Sequence, residues 1–198
     1  MANNNYKGIV PTPAAETTFE YTFEEENVLD EHFTLIDKDN DGQNWKIIEG
    51  GGIENKSLKS FSYDENGISR YPDNYIVTKE KYLITNNSEL HFQHLTSNYP
   101  DKFGVEVSTD GVSFTNVWNG TFGTNGGVIE QNVDLSAYAG ESVYIALRHY
   151  ESNGNDGWYV IIDNLRLTDG SAKSRSLARS TEPQINAVQY PAGEYYLV

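Results

Sequence analysis

The chain has 198 residues, and its 14 Lys and Arg stand against 29 Asp and Glu, which gives a formal net charge of −15. This charge repels nucleic-acid phosphates and anionic lipid headgroups, so it argues against nucleic acid as a partner. The absence of cysteine excludes disulfides, thiolate metal sites and a cysteine nucleophile. No apolar run has the length of a membrane helix, so we expect no membrane insertion.

Short strand-like runs follow one another along most of the chain. They cover residues 19–23, 33–36, 44–48, 58–63, 74–78, 89–95, 102–108, 113–118, 127–135, 142–150 and 158–168. Apolar residues often alternate with period two, and no segment carries a helical stripe over three turns. The pattern predicts an all-β fold, a two-sheet antiparallel β-sandwich. Asp110-Gly111 predicts a two-residue hairpin turn.

The two ends of the chain differ from this body. Residues 1–18 are rich in Asn, Pro, Thr and Ala and are interpreted as a leader or linker, so the domain is placed at 19–169. Residues 170–182 are small, polar and basic, and are interpreted as a second linker. Residues 183–198 resume strand alternation, as a final strand or as the start of a truncated next module. Neighbouring modules are therefore expected partners.

The stretch "LIDKDNDGQNW" places Asp37, Asp39 and Asp41 at alternate positions before Gly42. Carboxylates at this spacing can converge on one calcium ion, and the glycine permits a sharp bend. An EF-hand is rejected, because Ile48 stands where a bidentate acid is needed and flanking helices are absent. Two alternatives stay open, a calcium loop of another kind and a solvated polar turn.

Two further acidic features bear on a metal site. Asp163 follows the apolar run 160–162 in a predicted buried strand, and a buried carboxylate needs a cation, a basic residue or backbone N–H groups. A metal ion is one solution, and pairing with Arg148 or Arg166 is another. Glutamates 24–26 follow an aromatic strand and alternate in direction, so at most two can face one ion, and a solvated charge run is the alternative.

Catalytic motifs are lacking, whereas aromatic residues offer binding chemistry. There is neither a Gly-x-Ser-x-Gly elbow nor a His-Glu-x-x-His pair. His91 and His94 point to opposite faces of a predicted strand, which prevents a shared zinc site. Exposed Tyr and Trp rings can stack on sugars or anchor a protein partner. The candidates are Tyr99, Trp118 and Trp158, with core packing as the alternative for each Trp.

Several segments, taken in order, resemble a known family. They are "FEYTFEEE", "FTLIDKDNDGQNWKI", "YPDNYIVTKEKYLI", "ELHFQHL", "GVEVSTDG" and "VYIALRHYESNGNDGWYVIIDNLRL". The set resembles the cleaved adhesin domain, also grouped as choice-of-anchor J, which is repeated in the haemagglutinin/adhesin regions of gingipains and related Bacteroidetes surface proteins. The likeness runs from about Phe19 to Thr168 and depends on the order and spacing of the segments.

The resemblance implies a jelly-roll type of β-sandwich with structural calcium and no catalytic centre. The calcium ligands that it implies are Glu24 or Glu25 beside Asp163, the loop set Asp37, Asp39 and Asp41, and, as a weaker candidate, Asp73. It also implies proteolytic separation at basic linkers, for which residues 172–180 are suited.

We therefore expect a non-catalytic, calcium-stabilised adhesion module of a secreted or cell-surface bacterial protein. Its implied ligand is a host protein or glycan. The alternative is a carbohydrate-binding module appended to a glycan-degrading or proteolytic enzyme, with solvent-facing aromatic rings as the binding platform.

Overall fold

The computed structural model describes residues 16–68, 70–97, 102–120, 127–150 and 157–169. The strands in these ranges are β1 Glu16–Tyr21, β2 Phe33–Asp37, β3 Lys46–Glu49, β4 Lys56–Phe61, β5 Asp73–Thr78, β6 Tyr82–Leu83, β7 Ser88–Thr96, β8 Lys102–Ser108, β9 Thr115–Asn119, β10 Ile129–Asp134, β11 Ser142–Tyr150 and β12 Tyr159–Asp169. A short helix, α1, spans Val28–His32, and a 3-10 turn spans Ser136–Tyr138. The predicted all-β class is confirmed. Apart from residues 16–18, the predicted leader, second linker and extra strand lie outside the described residues.

The strands form two antiparallel sheets. The first has the order β10-β7-β12-β4-β3, with β1 also paired to β12, and the second has the order β2-β5-β11-β8-β9, with β6 also paired to β11. Leu90 and Ile162 from the first sheet share one core with Val105 and Leu147 from the second. The sheets therefore pack face to face, and the predicted jelly-roll type of β-sandwich is confirmed.

Strand alternation decides which side chains enter the core. In β7 the even-numbered residues are buried and the odd-numbered ones are partly or fully exposed. His94 is accordingly buried and packs against Phe103 and Trp118, whereas His91 faces outwards and contacts Asn132. The prediction that the two histidines lie on opposite faces is confirmed.

The predicted two-residue hairpin at Asp110-Gly111 is wrong. Strand β8 ends at Ser108 and β9 begins at Thr115, so a longer loop, residues 109–114, joins them. The Asp110 carboxylate accepts hydrogen bonds from the N–H groups of Val112 and Ser113, at 2.8 and 2.7 Å. In this loop the Asp110 side chain, and not a partner strand, accepts the backbone N–H groups. Within residues 109–114 only Gly111 has a positive φ, of 77°.

Candidate functional site

Asp163 lies where strand β12 changes its neighbour. Residues 159–162 of β12 pair with β4 and residues 165–169 pair with β1, and the pairing with β7 is irregular between Asp163 and Arg166. At this irregularity Asn164 has a left-handed backbone φ of 49°. Its side-chain amide donates a hydrogen bond of 2.6 Å to the side-chain oxygen of Gln93. The local bulge leaves the Asp163 side chain fully buried.

The buried carboxylate of Asp163 meets only neutral donors. The Ser57 hydroxyl donates to one oxygen at 2.9 Å and the Asn164 N–H donates to the other at 2.7 Å. Burial raises the pKa of Asp163, and the negative charges of Glu54 and Glu24 raise it further, against the effect of these hydrogen bonds. In the described part of the chain no salt bridge joins Asp163 to a basic side chain. Asp163 is therefore a buried acid without a matching cation.

Two glutamates lie close to this acid, and both raise its pKa. Glu24 is half-buried, and one of its carboxylate oxygens accepts the Lys56 N–H at 3.0 Å. Glu54, which sequence reasoning missed, accepts a 3.1 Å hydrogen bond from the Asn164 amide. Glu25 is exposed. The only sequence signal for Glu54 is its position in a glycine-rich turn, and that turn shows no pattern linking it to Asp163.

The three aspartates of the loop 37–41 converge. One carboxylate oxygen from each of Asp37, Asp39 and Asp41 lies within 4.8 Å of the others, and the described residues contain no other such group of three carboxylates or imidazoles. Oxygens bound to a single calcium ion at its usual bond length lie at most about 5 Å apart. The spacing of this loop therefore suits one calcium ion.

Backbone N–H groups and mutual repulsion set the charges in this loop. Burial opposes the charge of Asp37, but the N–H groups of Gly42 and Asp41 and a bond with Asp39 lower the pKa of Asp37 below its usual value. The pKa of Asp39 is raised by burial, with Asp41 and Asp37 adding to the increase. Oδ2 of Asp41 is buried and has no hydrogen-bond partner among the residues that the structure describes. A shared cation would relieve both the repulsion and the unpaired oxygen.

Asp73, the weaker metal candidate, is paired with Arg148. The Arg148 guanidinium on β11 donates to both Asp73 oxygens, at 2.6 and 3.0 Å, and to Glu106 at 3.1 Å. The guanidinium also lies 4.9 Å from the ring centre of Tyr75 and 4.7 Å from that of Tyr150. Burial opposes the charge, but the hydrogen bonds to Asp73 and Glu106 raise the pKa of Arg148 above its usual value. The structure therefore brings Arg148 to these acids and away from Asp163.

The three aromatic candidates have different positions. Trp118 is half-buried and packs edge-on against Phe92 and Phe103, at 5.5 and 5.3 Å between ring centres. Trp158 is 49% exposed and contacts the Tyr159 ring. Tyr99 lies outside the described residues. Of the two Trp side chains, Trp158 offers the larger solvent-exposed surface.

A groove of about 510 Å³ crosses the outer face of the second sheet. Its floor contains Tyr75, Glu106 and Arg148, and the side chain of Phe114 from the loop 109–114 forms one wall. We call it the outer groove. The sequence analysis did not predict this groove, because no residue pattern indicated that the loop 109–114 extends over the sheet.

A two-sheet sandwich with acidic groups at strand ends and a groove on one outer face has the architecture of β-sandwich binding modules. Residues 17–167 match the family described as the Cleaved Adhesin Domain, and the chain belongs to this family, as the resemblance predicted.

The relatives include much longer proteins of Porphyromonas gingivalis. Protease PrtH of strain W83 is 29% identical over 81% of this chain, and this chain covers 19% of that protein. Hemagglutinin A is 29% identical over 71% of this chain, which covers 6% of it. The chain therefore spans only a small part of these relatives.

Solved structures show the same fold. The K2 cleaved adhesin domain of Lys-gingipain has a TM-score of 0.60 and 28% identity, covering 76% of this chain and 98% of that domain. The xylan-binding domain of Paenibacillus barcinonensis Xyn10C has a TM-score of 0.50 at 12% identity, covering 78% of this chain and 95% of that domain. At that identity the second likeness concerns the fold alone.

Proposed function

We propose that this chain is a non-catalytic adhesion module of a secreted or cell-surface bacterial protein, stabilised by calcium and binding host protein or glycan. The observation that carries the binding function is the outer groove, where fixed polar groups and aromatic rings line a concave surface. Membership of the adhesin family supports the proposal, as does the likeness to Hemagglutinin A. No helix among the described residues is long and apolar enough to cross a bilayer.

Binding of the labelled full chain to red blood cells tests the adhesive function. We expect saturable binding to intact cells, because the hemagglutinin relative is named for that activity. Periodate treatment of the cells removes it if the ligand is a glycan, and protease treatment removes it if the ligand is a protein. Heat-unfolded chain is the control for non-specific adsorption. The adhesive function fails if the folded chain binds neither these cells nor immobilised host extracellular proteins and glycans.

The calcium part of the proposal starts from Asp163. A fully buried carboxylate with two neutral donors and two acidic neighbours carries an uncompensated charge. All available side-chain ligands there are oxygens, which calcium prefers over softer metals. Glu24 beside Asp163 would hold the ion, and Glu54 is an additional oxygen donor. Calcium would compensate the charge that burial disfavours.

The loop 37–41 is the second calcium candidate. Its three convergent carboxylates and the unpaired Asp41 oxygen fit an oxygen-coordinated ion. Asp73 donates its N–H to Asp39 at 3.2 Å, but its carboxylate is held by Arg148. We therefore leave the Asp73 carboxylate out of the proposed ligand set.

Thermal unfolding with calcium and with chelator tests the proposal. Calcium at about 100 times its dissociation constant stabilises the native state by about 2.7 kcal/mol, which raises the Tm of a domain of this size by about 5–10 °C. Asp163→Asn should remove most of this shift. Glu141→Gln, at an exposed position, is the matched control and should keep it. An unchanged Tm in chelator would contradict calcium stabilisation.

The outer groove also favours a second candidate, a carbohydrate-binding module attached to a glycan-degrading or proteolytic enzyme. Its combination of ring and polar side chains suits sugars as well as proteins. Affinity electrophoresis of the full chain in gels containing soluble plant or microbial polysaccharides separates the two functions. Retardation by such a polysaccharide, without binding to red cells, favours the enzyme-attached module.

A further inference from the structure

We infer that the outer groove is the glycan site, and that it takes an uncharged sugar stacked against Phe114 and hydrogen-bonded by Arg148 and Glu106. The inference rests on the proposed binding function and names its ligand class and its location. The groove volume of about 510 Å³ lies within the range of small-ligand sites.

The groove is preformed, because its wall is tied in place. Asp110 accepts hydrogen bonds from the Ser108 hydroxyl and from two N–H groups of its own loop. Gly111 lies so close to the Tyr144 ring that an added Cβ would meet it at 3.1 Å. Phe114 packs on Tyr75 with 5.5 Å between ring centres. A wall ordered before the ligand arrives reduces the entropy lost on binding.

The floor of the groove has fixed polar groups, and the Arg148 guanidinium among them has spare bonding capacity. The three hydrogen bonds of Arg148 to Asp73 and Glu106 use three of the five N–H donors of a guanidinium, so two remain. The Glu106 side chain is nearly fully buried, and one of its oxygens is held by Arg148. Donors and acceptors held side by side in this way match the hydroxyl groups of a sugar.

The charge of the groove selects against an ionic ligand. Lys38 and Arg148 are balanced by Asp73 and Glu106, and salt bridges join all four side chains. Lys38, Arg148 and Glu106 line the groove, and Asp73 beside it brings the formal charge of this network to zero, in a chain whose net charge is −15. An anionic ligand meets overall repulsion, and a cationic ligand meets no excess of carboxylate in the groove. A neutral sugar avoids both costs.

Phe114 supplies the apolar surface that a neutral sugar needs. The ring is half-buried and lines the groove, so part of it stays accessible to a ligand. The C–H face of a sugar ring packs on an aromatic face, while its hydroxyls at the rim reach polar groups. One ring beside one polar cluster therefore suits the two surfaces of a hexose.

The test uses the full chain on an array of neutral oligosaccharides and their sialylated or sulfated counterparts. We expect neutral glycans to bind and Phe114→Ala to weaken that binding by about tenfold or more. Leu83→Ala, at an exposed apolar residue outside the groove, is the matched control and should bind as the wild type does.

Backbone NMR shifts of the wild-type chain, titrated with the best neutral array glycan, locate the site without relying on a variant. The largest shifts should fall in residues 110–116 and around Arg148. Shifts confined to other residues, equal binding by Phe114→Ala, or binding of charged glycans alone would overturn the inference while leaving the adhesive function standing. Binding to host protein with no glycan bound would do the same. The proposed function itself fails only if the wild-type chain binds neither class.

Discussion

Arg148 on β11 and Asp163 on β12 are both charged side chains held away from bulk water, yet their surroundings differ. Arg148 is bonded to two carboxylates and lies between two aromatic rings. Asp163 has two neutral donors and two acidic neighbours. The charge of Arg148 is compensated by neighbouring carboxylates, whereas none of the basic side chains that the structure describes pairs with Asp163. A cation or a proton from solution would supply that compensation.

The largest expected effect comes from breaking the compensated network. Arg148→Met leaves Glu106 without its partner and Asp73 with Lys38 alone, and we expect a loss of about 3–5 kcal/mol in the free energy of unfolding. Urea unfolding measures it, and the loss should be the same with calcium or with chelator. Arg166→Met, on the exposed side of β12, is the control and should change stability by less than about 0.5 kcal/mol. A small effect of Arg148→Met would contradict the view that the charge network around Arg148 stabilises the fold.

A second prediction uses His94, a buried group held neutral. Burial lowers the pKa of His94 from 6.5 to about 4. Between these pH values the unfolded chain binds the proton and the native chain does not, so stability falls as the pH is lowered from 6.5 towards 4. The expected loss is up to about 3 kcal/mol.

Urea unfolding at several pH values measures this loss. His94→Phe should flatten the acid limb, because no proton is then taken up at this position. An equally steep acid limb in the variant would assign the pH dependence to other groups.

The contribution of Asp163 to stability changes with pH in the opposite direction to that of His94. Its pKa is raised in the native state, so the protonated acid stabilises the fold at low pH, and that contribution is lost as the pH rises. We therefore expect the stabilisation by calcium to be largest near neutral pH and to shrink on acidification, as protons replace the ion. Thermal unfolding at paired pH values, with and without calcium, measures it. The Asp163→Asn variant should lose most of this trend, and a calcium effect that grew at low pH would contradict the assignment.

The smallest effect is expected in the loop 37–41. Asp41→Asn changes stability in chelator by no more than about 0.5 kcal/mol, because its backbone-bonded turn survives. Equilibrium dialysis with metal analysis should give one calcium fewer per chain than the wild type. Unchanged stoichiometry would leave Asp163 as the one calcium site among the proposed two.

The sandwich was predictable because the alternation of buried and exposed residues is a local property of each strand. That His91 and His94 lie on opposite faces of β7 could be read from the sequence alone, although which of them is buried could not. The Asp110 turn could not, since one side chain capturing two N–H groups overrode the glycine that favoured a tight hairpin.

The candidate sites were predicted only in part. Asp163 was identified because an acid in an apolar strand is a local anomaly. Its neighbour Glu54 was missed, because it lies in a loop far from Asp163 in sequence and meets that acid through Asn164 and Ser57. The outer groove was missed for a similar reason, because it joins strands far apart in sequence and needs the Phe114 loop to fold over them. Which distant side chains come together depends on how the strands and loops pack in three dimensions. The local pattern of residues along one strand does not determine this.

The pairing of β1 with β12 has a mechanical consequence. Glu16 lies opposite Asp169, so the two ends of the domain leave it side by side. A pull applied through those ends would open the antiparallel pair one hydrogen bond at a time, as a zipper opens, without shearing all of them together. The opening reaches Leu165 just before the bulge at Asp163. We expect single-molecule pulling to show a first unfolding step at low force, followed by a pause that calcium lengthens. An ion bound at Asp163 would then resist further separation of β12 from the sheet.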